Sequence, residues 1–305
     1  MAIASVARTE VGGDPGIQPA SPRRGRRLTP YLLLLPGLAW LAVFFAVPIV
    51  TLFGTSTQTP DPSGEIGAFN QTFRFANYVD AVQEYAPQLG RSFLYAGIAT
   101  LLCLAIGYPL AYMIAFKAGR WRNLLLVLVV APFFCSFILR TLAWRQILGE
   151  EGIVVRSLKY THLIPQEMAL TASTTAVIAG LTYNFLPFMT LPLYASIERL
   201  DPRLLEAGAD LYGNGVTVLR KVTLPLTMPG IVAGTLLTFI PAAGDYVNAS
   251  LLGNTRNRMI GNVVEARFFQ VVDYPTAATL SFVLMAAILV LVFLYIRRAG
   301  TEELV

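Results

Sequence analysis

Six stretches of about 20 mostly apolar residues run through the chain: Tyr31 to Gly54, Ser92 to Phe116, Leu124 to Trp144, Ser173 to Ile197, Met228 to Tyr246 and Ala277 to Ile296. In hydrocarbon every backbone N–H and C=O must be satisfied internally, so runs of this length and polarity can cross only as helices. The sequence therefore predicts an all-α integral membrane fold of six transmembrane helices, with an even count that returns both termini to one face. Composition agrees: 13% of residues are charged, against roughly 25% in soluble domains, which leaves little chain for a soluble catalytic domain. Cys103 and Cys135 fall inside apolar runs, where a thiol behaves as a small hydrophobe. No cluster of residues has metal-ligand or nucleophile spacing, so neither a catalytic nor a metal site is expected.

The first run follows the basic stretch Arg23 to Arg27 and is too long for the apolar core of a signal peptide, so it reads as an uncleaved span. Residues 1–29, rich in Gly, Pro, Ala and Arg without periodicity, read as a flexible cytoplasmic tail. Residues 30–298 form the membrane domain and 299–305 a second cytoplasmic tail. Lysine and arginine fix the orientation: with the N-terminus inside, the 23 basic residues divide about 14 to 9 in favour of the inner face. They are scattered over several loops with no basic helix, so the net charge of +5 reflects topology and no nucleic-acid partner is expected.

This orientation places a charged, glycine-broken segment over about 199–226 in the cytoplasm. In "LDPRLLEAGADLYGNG", Asp201 suits an N-cap and Pro202 the first helical position, while Leu204, Leu205, Ala209 and Leu211 can line an apolar face. Gly213 and Gly215 break that helix before "VTVLRKV" starts another. Glu206 is followed directly by Ala207, Gly208 and Ala209, small residues that allow another surface to approach beside a carboxylate. Two readings fit: a docking face for a protein partner, and an amphipathic helix lying on membrane lipid.

The segment resembles the cytoplasmic loop of the membrane permeases of ATP-binding cassette (ABC) importers, whose pattern is E-A-A-x3-G-x9-I-x-L-P. Glu206, Ala207, Leu224 and Pro225 match it and Val222 takes the Ile position; Gly208 replaces the second Ala, and Tyr212 holds the Gly position with Gly213 one residue later. Over roughly residues 30 to 298 the chain is similar to the polyamine (spermidine/putrescine) branch, in "FILRTLAWRQILGEEGIV" from Phe137, "YNFLPFMTLPLYASIERLDP" from Tyr183 and "IPAAGDYVNASLLGN" from Ile240. The resemblance implies a bacterial inner-membrane location, a second permease subunit, two cytoplasmic ATPase subunits and an extracytoplasmic substrate-binding protein. It makes Glu206, Ala207, Gly208, Asp210 and Gly213 the ATPase-coupling residues. ATP would bind the partner ATPases and no cofactor this chain, which has no G-x-x-x-x-G-K-[ST] loop.

Charged groups at membrane depth are costly and need a reason. Asp245 and Arg140 stand out, with two readings: a mutual ion pair, or a wet path in which Asp245 meets a cationic substrate beside Tyr246, Trp144 and Tyr183, whose rings suit an alkylammonium. An ion-coupled secondary transporter would share these spans but would normally show inverted repeats or several intramembrane acids. Opines and aminoalkylphosphonates stand beside polyamines as substrates. The topology has a direct test: a cysteine replacing Asn214 reacts with a membrane-impermeant thiol reagent only after the inner face is opened, and labelling in intact cells would invert the assignment.

Overall fold

The computed structural model describes residues 29–162, 165 and 170–299; but for Thr29 and Ala299, both expected tails lie outside the described residues. In chain order the helices are α1 (Thr29–Leu41), α2 (Val47–Ser56), α3 (Ala76–Tyr112), α4 (Arg122–Val130), α5 (Phe137–Ile147), α6 (Ile153–Tyr160), α7 (Thr174–Glu198), α8 (Pro202–Tyr212), α9 (Gly215–Val218), α10 (Leu224–Leu226), α11 (Met228–Ala243), α12 (Val247–Leu252), α13 (Ile260–Glu265) and α14 (Tyr274–Ala299). A small antiparallel hairpin, β1 (Gln58–Pro60) and β2 (Phe69–Gln71), joins α2 to α3. Among the described residues, four helical stretches are long and apolar enough to cross a membrane: Leu34–Ser56, Ala76–Lys117, Thr174–Glu198 and Tyr274–Arg298. Two bent pairs raise the number to 6 when each counts as one crossing.

The chain divides after Val50 into two units. The first is helical and apolar, and its side chains from Leu34 to Val47, Trp40 and Phe44 among them, stand exposed as a surface for hydrocarbon. The second unit is built around α7. Leu181, Met189, Leu193 and Ile197 are fully buried there between α3 and α11.

Small residues allow this packing, because lipid supplies no hydrophobic drive between helices and close backbone approach must replace it. Gly230 and Gly234 of α11 lie four residues apart on one face. A Cβ at Gly230 would sit 2.4 Å from Ser196 Cβ and 2.8 Å from the Pro192 carbonyl oxygen, and one at Gly234 would sit 2.8 Å from Met189 Sδ. From α3, Gly107 approaches Thr190 and Met189. α3 has 37 residues and so spans about 56 Å, well beyond the ~30 Å hydrocarbon layer. Its first turns, with Asp80, Glu84 and Arg91, extend past the apolar run that begins at Ser92.

The bundle has two distinct ends. At one, Arg122 pairs with Glu198 and lies over the Tyr194 ring at 5.2 Å, and Tyr108 and Thr227 share a hydroxyl hydrogen bond of 3.0 Å. At the other, Arg91 Nη1 donates to the Arg256 carbonyl at 2.5 Å, and Arg267 pairs with Glu84 and Asp273. Successive connections fall at opposite ends, as alternating crossings require.

Two spans differ from the sequence expectation. The third, expected as one helix over Leu124 to Trp144, breaks by 98° between Gly119–Phe134 and Phe137–Ile147. Pro132 has no N–H to continue the α-helix, the turn around it tightens to 3-10 geometry, and Cys135 and Ser136 run extended. The fifth, expected to reach Tyr246, ends at Ala243, and it bends by 71° from the preceding pair at Thr227. Helices continue through Pro109, Pro187, Pro192 and Pro241, so of these prolines Pro132 marks the sharp break.

The glycine contacts predict an asymmetry. Gly230→Ala forces its methyl against α7 and lowers the Tm of the purified chain, at a cost of about 1–3 kcal/mol, whereas Gly97→Ala, which meets nothing within 4 Å, leaves Tm unchanged or raises it. Equal effects in thermal melts would remove the close-packing account.

Candidate functional site: the coupling loop and a polar seam

The loop between the fourth and fifth spans folds as its local chemistry dictates. Asp201 caps α8 by accepting a hydrogen bond from Arg203 N at 3.0 Å, Pro202 takes the first turn, and Gly213 ends the helix at φ +61°, a conformation that favours glycine. Asn214 then caps α9 through Val216 N at 3.0 Å, and a π-helical turn over Leu219–Thr223 carries the chain into α10.

Gly208 is buried, unlike its expected place on an exposed face. A Cβ there would lie 3.2 Å from Val222 Cγ2 and 3.3 Å from Val218 Cγ1, so its small size serves the contact between α8 and the following helices. The expected apolar face also divides. Leu205 and Ala209 line a groove of about 620 Å³ with Tyr108 and Tyr112 of α3, while Leu204 and Leu211 point outward. Leu204, Ala207 and Leu211 form one exposed stripe, with Glu206 and Asp210 on the stripe beside it. Among the described residues neither carboxylate has a hydrogen-bond or ion-pair partner.

Toward the other end, a polar seam crosses the bundle. Asp245 is 8% exposed and lies in the short non-helical link between α11 and α12. Its Oδ1 accepts from Asn248 N at 2.8 Å and its Oδ2 from Asn248 Nδ2 at 3.2 Å. Asn248 Oδ1 accepts in turn from Asn184 Nδ2 at 3.0 Å, and Asn184 Nδ2 lies 3.2 Å from Thr141 Oγ1, whose own proton goes to the Phe137 carbonyl. The series ties α5, α7 and α12 together at a depth where an unpaired polar group costs several kcal/mol. Gly180 makes room for it: a Cβ there would fall 2.4 Å from Leu252 Cδ1 and 2.8 Å from Asn248 Oδ1.

Asp245 and Arg140 form no ion pair. Arg140 instead lies over the Phe133 and Phe137 rings at 5.6 Å each, with Nε and Nη1 buried and unpartnered. Trp144 and Tyr183 contact each other at 5.4 Å between ring centroids. Tyr246 is exposed and lines a separate groove against α13 and α14. Asn184, Asn248 and Thr141 are not among the expected site residues; the signal for the first is an amide in the middle of an apolar run.

A capped helix pair between the fourth and fifth spans is what the resemblance to ABC importer permeases implies. The solved structures carry the same fold. The chain superposes on a bacterial ABC transporter involved in the import of the acidic polysaccharide alginate with a TM-score of 0.71, over 90% of this chain and 95% of that one, at 17% identity. The alginate transporter in complex with its alginate pentasaccharide-bound periplasmic protein gives 0.68 over 87% and 91%, also at 17%. Sequence relatives are more specific. The spermidine/putrescine transport system permease protein PotB of Haemophilus influenzae is 38% identical over 260 residues, 85% of this chain and 90% of that protein, and PotB of Escherichia coli K12 is 35% identical over 263 residues, 86% and 94%. The inner membrane ABC transporter permease protein YdcU of E. coli K12 is 30% identical over 293 residues, 90% of each. No protein-family model matches. The chain belongs to the family of the spermidine/putrescine transport system permeases.

The seam makes Asp245 an anchor for the start of α12, which gives a prediction opposite to that of an ion pair. Asp245→Asn replaces one acceptor facing Asn248 with a donor, and should destabilise the chain by about 1–3 kcal/mol. Arg140→Gln should leave that loss in place in the double variant, because the two sites share no contact. Restored stability in the double variant, read from thermal melts, would reinstate the pair.

Proposed function

We propose that this chain is one permease subunit of an ABC importer, lining half of a path for a polyamine such as spermidine or putrescine in the bacterial inner membrane with both termini cytoplasmic. A second permease subunit completes the path, two cytoplasmic ATPase subunits bind the ATP, and an extracytoplasmic binding protein delivers the solute. The observation that carries this reading is the identity to the PotB permeases over nearly the whole chain. The fold alone is silent about substrate, since the same fold serves an importer of the acidic polysaccharide alginate.

In this reading α8 is the coupling helix. Leu204, Ala207 and Leu211 present a flat apolar strip to the ATPase, and Glu206 and Asp210 offer acceptors to basic groups at its rim. Gly213 sets the turn behind the strip, and Gly208 fixes α8 on the helices that follow. A shift of α8 then moves these helices as a body and acts on α11 through the bend at Thr227. α11 is meshed with α7 by Gly230 and Gly234, and α7 reaches the Asp245 segment through Asn184 and Asn248. Closure of the ATPases on ATP is thereby converted into opening and closing of the path.

Two measurements test the proposal. In proteoliposomes holding the full complex, loaded binding protein outside and ATP inside, labelled spermidine or putrescine should accumulate; transport of another solute with no polyamine uptake would overturn the substrate. Ala207→Trp, on the exposed strip, should sharply reduce co-purified ATPase while the Tm of the isolated chain stays at the wild-type value. Full ATPase association with full transport would remove α8 as the docking face.

A further inference from the structure

α13 ends at Glu265 and runs into a π-helical turn over Ala266–Gln270, closed by a hydrogen bond of 3.0 Å from Val271 N to the Ala266 carbonyl. Such a turn inserts a residue into the helical register and recurs at functional sites. Here it sets Phe268 and Phe269 side by side at 4.9 Å, both exposed, with Phe268 also 5.0 Å from Tyr274. The two phenylalanines open onto a groove of about 690 Å³ between α11, α13 and α14, lined also by Tyr246, Glu265, Leu284 and Ile288. Its floor is fixed by close backbone contact, since a Cβ at Gly261 would stand 2.6 Å from the Gly244 carbonyl oxygen. Asn262 Nδ2 donates to the Tyr246 carbonyl at 2.9 Å and to Ser250 Oγ at 2.6 Å, holding the backbone from which the Tyr246 ring enters the groove.

Glu265 is the one acid in the groove lining. It is half-buried, and among the described residues it has no hydrogen-bond or ion-pair partner, the four ion pairs being Arg74–Asp80, Arg122–Glu198, Arg267–Glu84 and Arg267–Asp273. It also lines a polar pocket of about 320 Å³ on its other side, with Ser250, Asn254, Arg258 and Gln270, where Arg258 lies without pairing to it. The carboxylate thus stands between a polar pocket and an apolar groove with aromatic rings. A negative charge in that position calls for a cation, and the rings beside it favour one attached to a hydrocarbon chain.

We propose that Glu265 holds an ammonium group of the transported cation in this groove, with Tyr246 and Phe268 facing the charge and Leu284 and Ile288 flanking the methylenes. The chemistry selected is a linear alkylamine that alternates ammonium groups with short hydrocarbon segments; a lipid tail would have no use for the carboxylate. The inference rests on the importer reading above and adds a residue to it. Asp245, whose carboxylate is occupied by Asn248, then supports the groove from behind through Gly244 and Tyr246, the residues on either side of it.

The test uses the full complex in proteoliposomes, supplied with binding protein loaded with labelled spermidine. Glu265→Gln should lower uptake about tenfold or more, with the complex assembled to wild-type yield. Glu265→Asp should keep an intermediate rate, and Phe268→Leu should lower uptake by a smaller factor than Glu265→Gln. Undiminished uptake by Glu265→Gln would overturn the assignment. Loss of the partner permease from the purified complex would also overturn it, by making the groove a subunit interface, and so would recovery of uptake in Glu265→Gln with Arg258→Gln, by making the carboxylate a structural partner of Arg258. If the wild-type complex takes up neither spermidine nor putrescine, the polyamine reading itself fails, an outcome distinct from any of these.

Discussion

α7 is met at close range by glycines on both neighbouring helices, Gly230 and Gly234 from α11 and Gly107 from α3. In a solvent as apolar as the side chains, helices gain little by burying leucine against leucine, so dispersion over surfaces that truly mesh has to hold the bundle. A glycine face gives that mesh a single registration, because the opposing Ser196 and Met189 leave no room for a Cβ at Gly230 or Gly234. This contact makes α7 the axis of the second unit; the loop over 199–226 follows its last turn, and the polar seam joins it at Asn184.

The backbone departs from helical geometry where the bundle or its side chains can absorb the cost. The link after α11 places Asp245 against the N–H and amide of Asn248, and Asn248 is itself held by Asn184 of α7. The break after Pro132 leaves the guanidinium of Arg140 among phenylalanine rings, which ease but do not meet its hydrogen-bonding demand. Irregular backbone at membrane depth is tolerated beside protein or a wet cavity. Asp245 and Arg140, the charges expected at membrane depth, both lie beside such departures.

Much of this architecture is legible in the sequence alone. Length and polarity located the spans, and the caps Asp201, Pro202 and Gly213 announced α8 because each acts through its own backbone neighbourhood. Gly208 was misplaced because its role depends on Val218 and Val222, beyond a turn whose geometry the sequence does not spell out. Asp245 drew attention as a lone charge, yet its partner was three residues away, and a carboxylate that close to an amide at a helix start is a local cap. Glu265 drew none. It sits at the end of a six-residue helix, and its surroundings arise from a π turn that leaves no periodic trace in the side chains.

The length of α3 has a structural corollary. As one helix of 37 residues it joins Tyr108, bonded to Thr227 just after the 199–226 loop, to Arg91, bonded to the Arg256 carbonyl at the far end. α3 stays helical through Pro87 and Pro109, whose missing N–H groups interrupt its hydrogen-bond ladder, so its two ends remain parts of one continuous element. The first turns of α3, with Asp80 and Glu84, therefore belong to the same continuous element as the hydroxyl contact with Thr227 at the opposite end of the bundle.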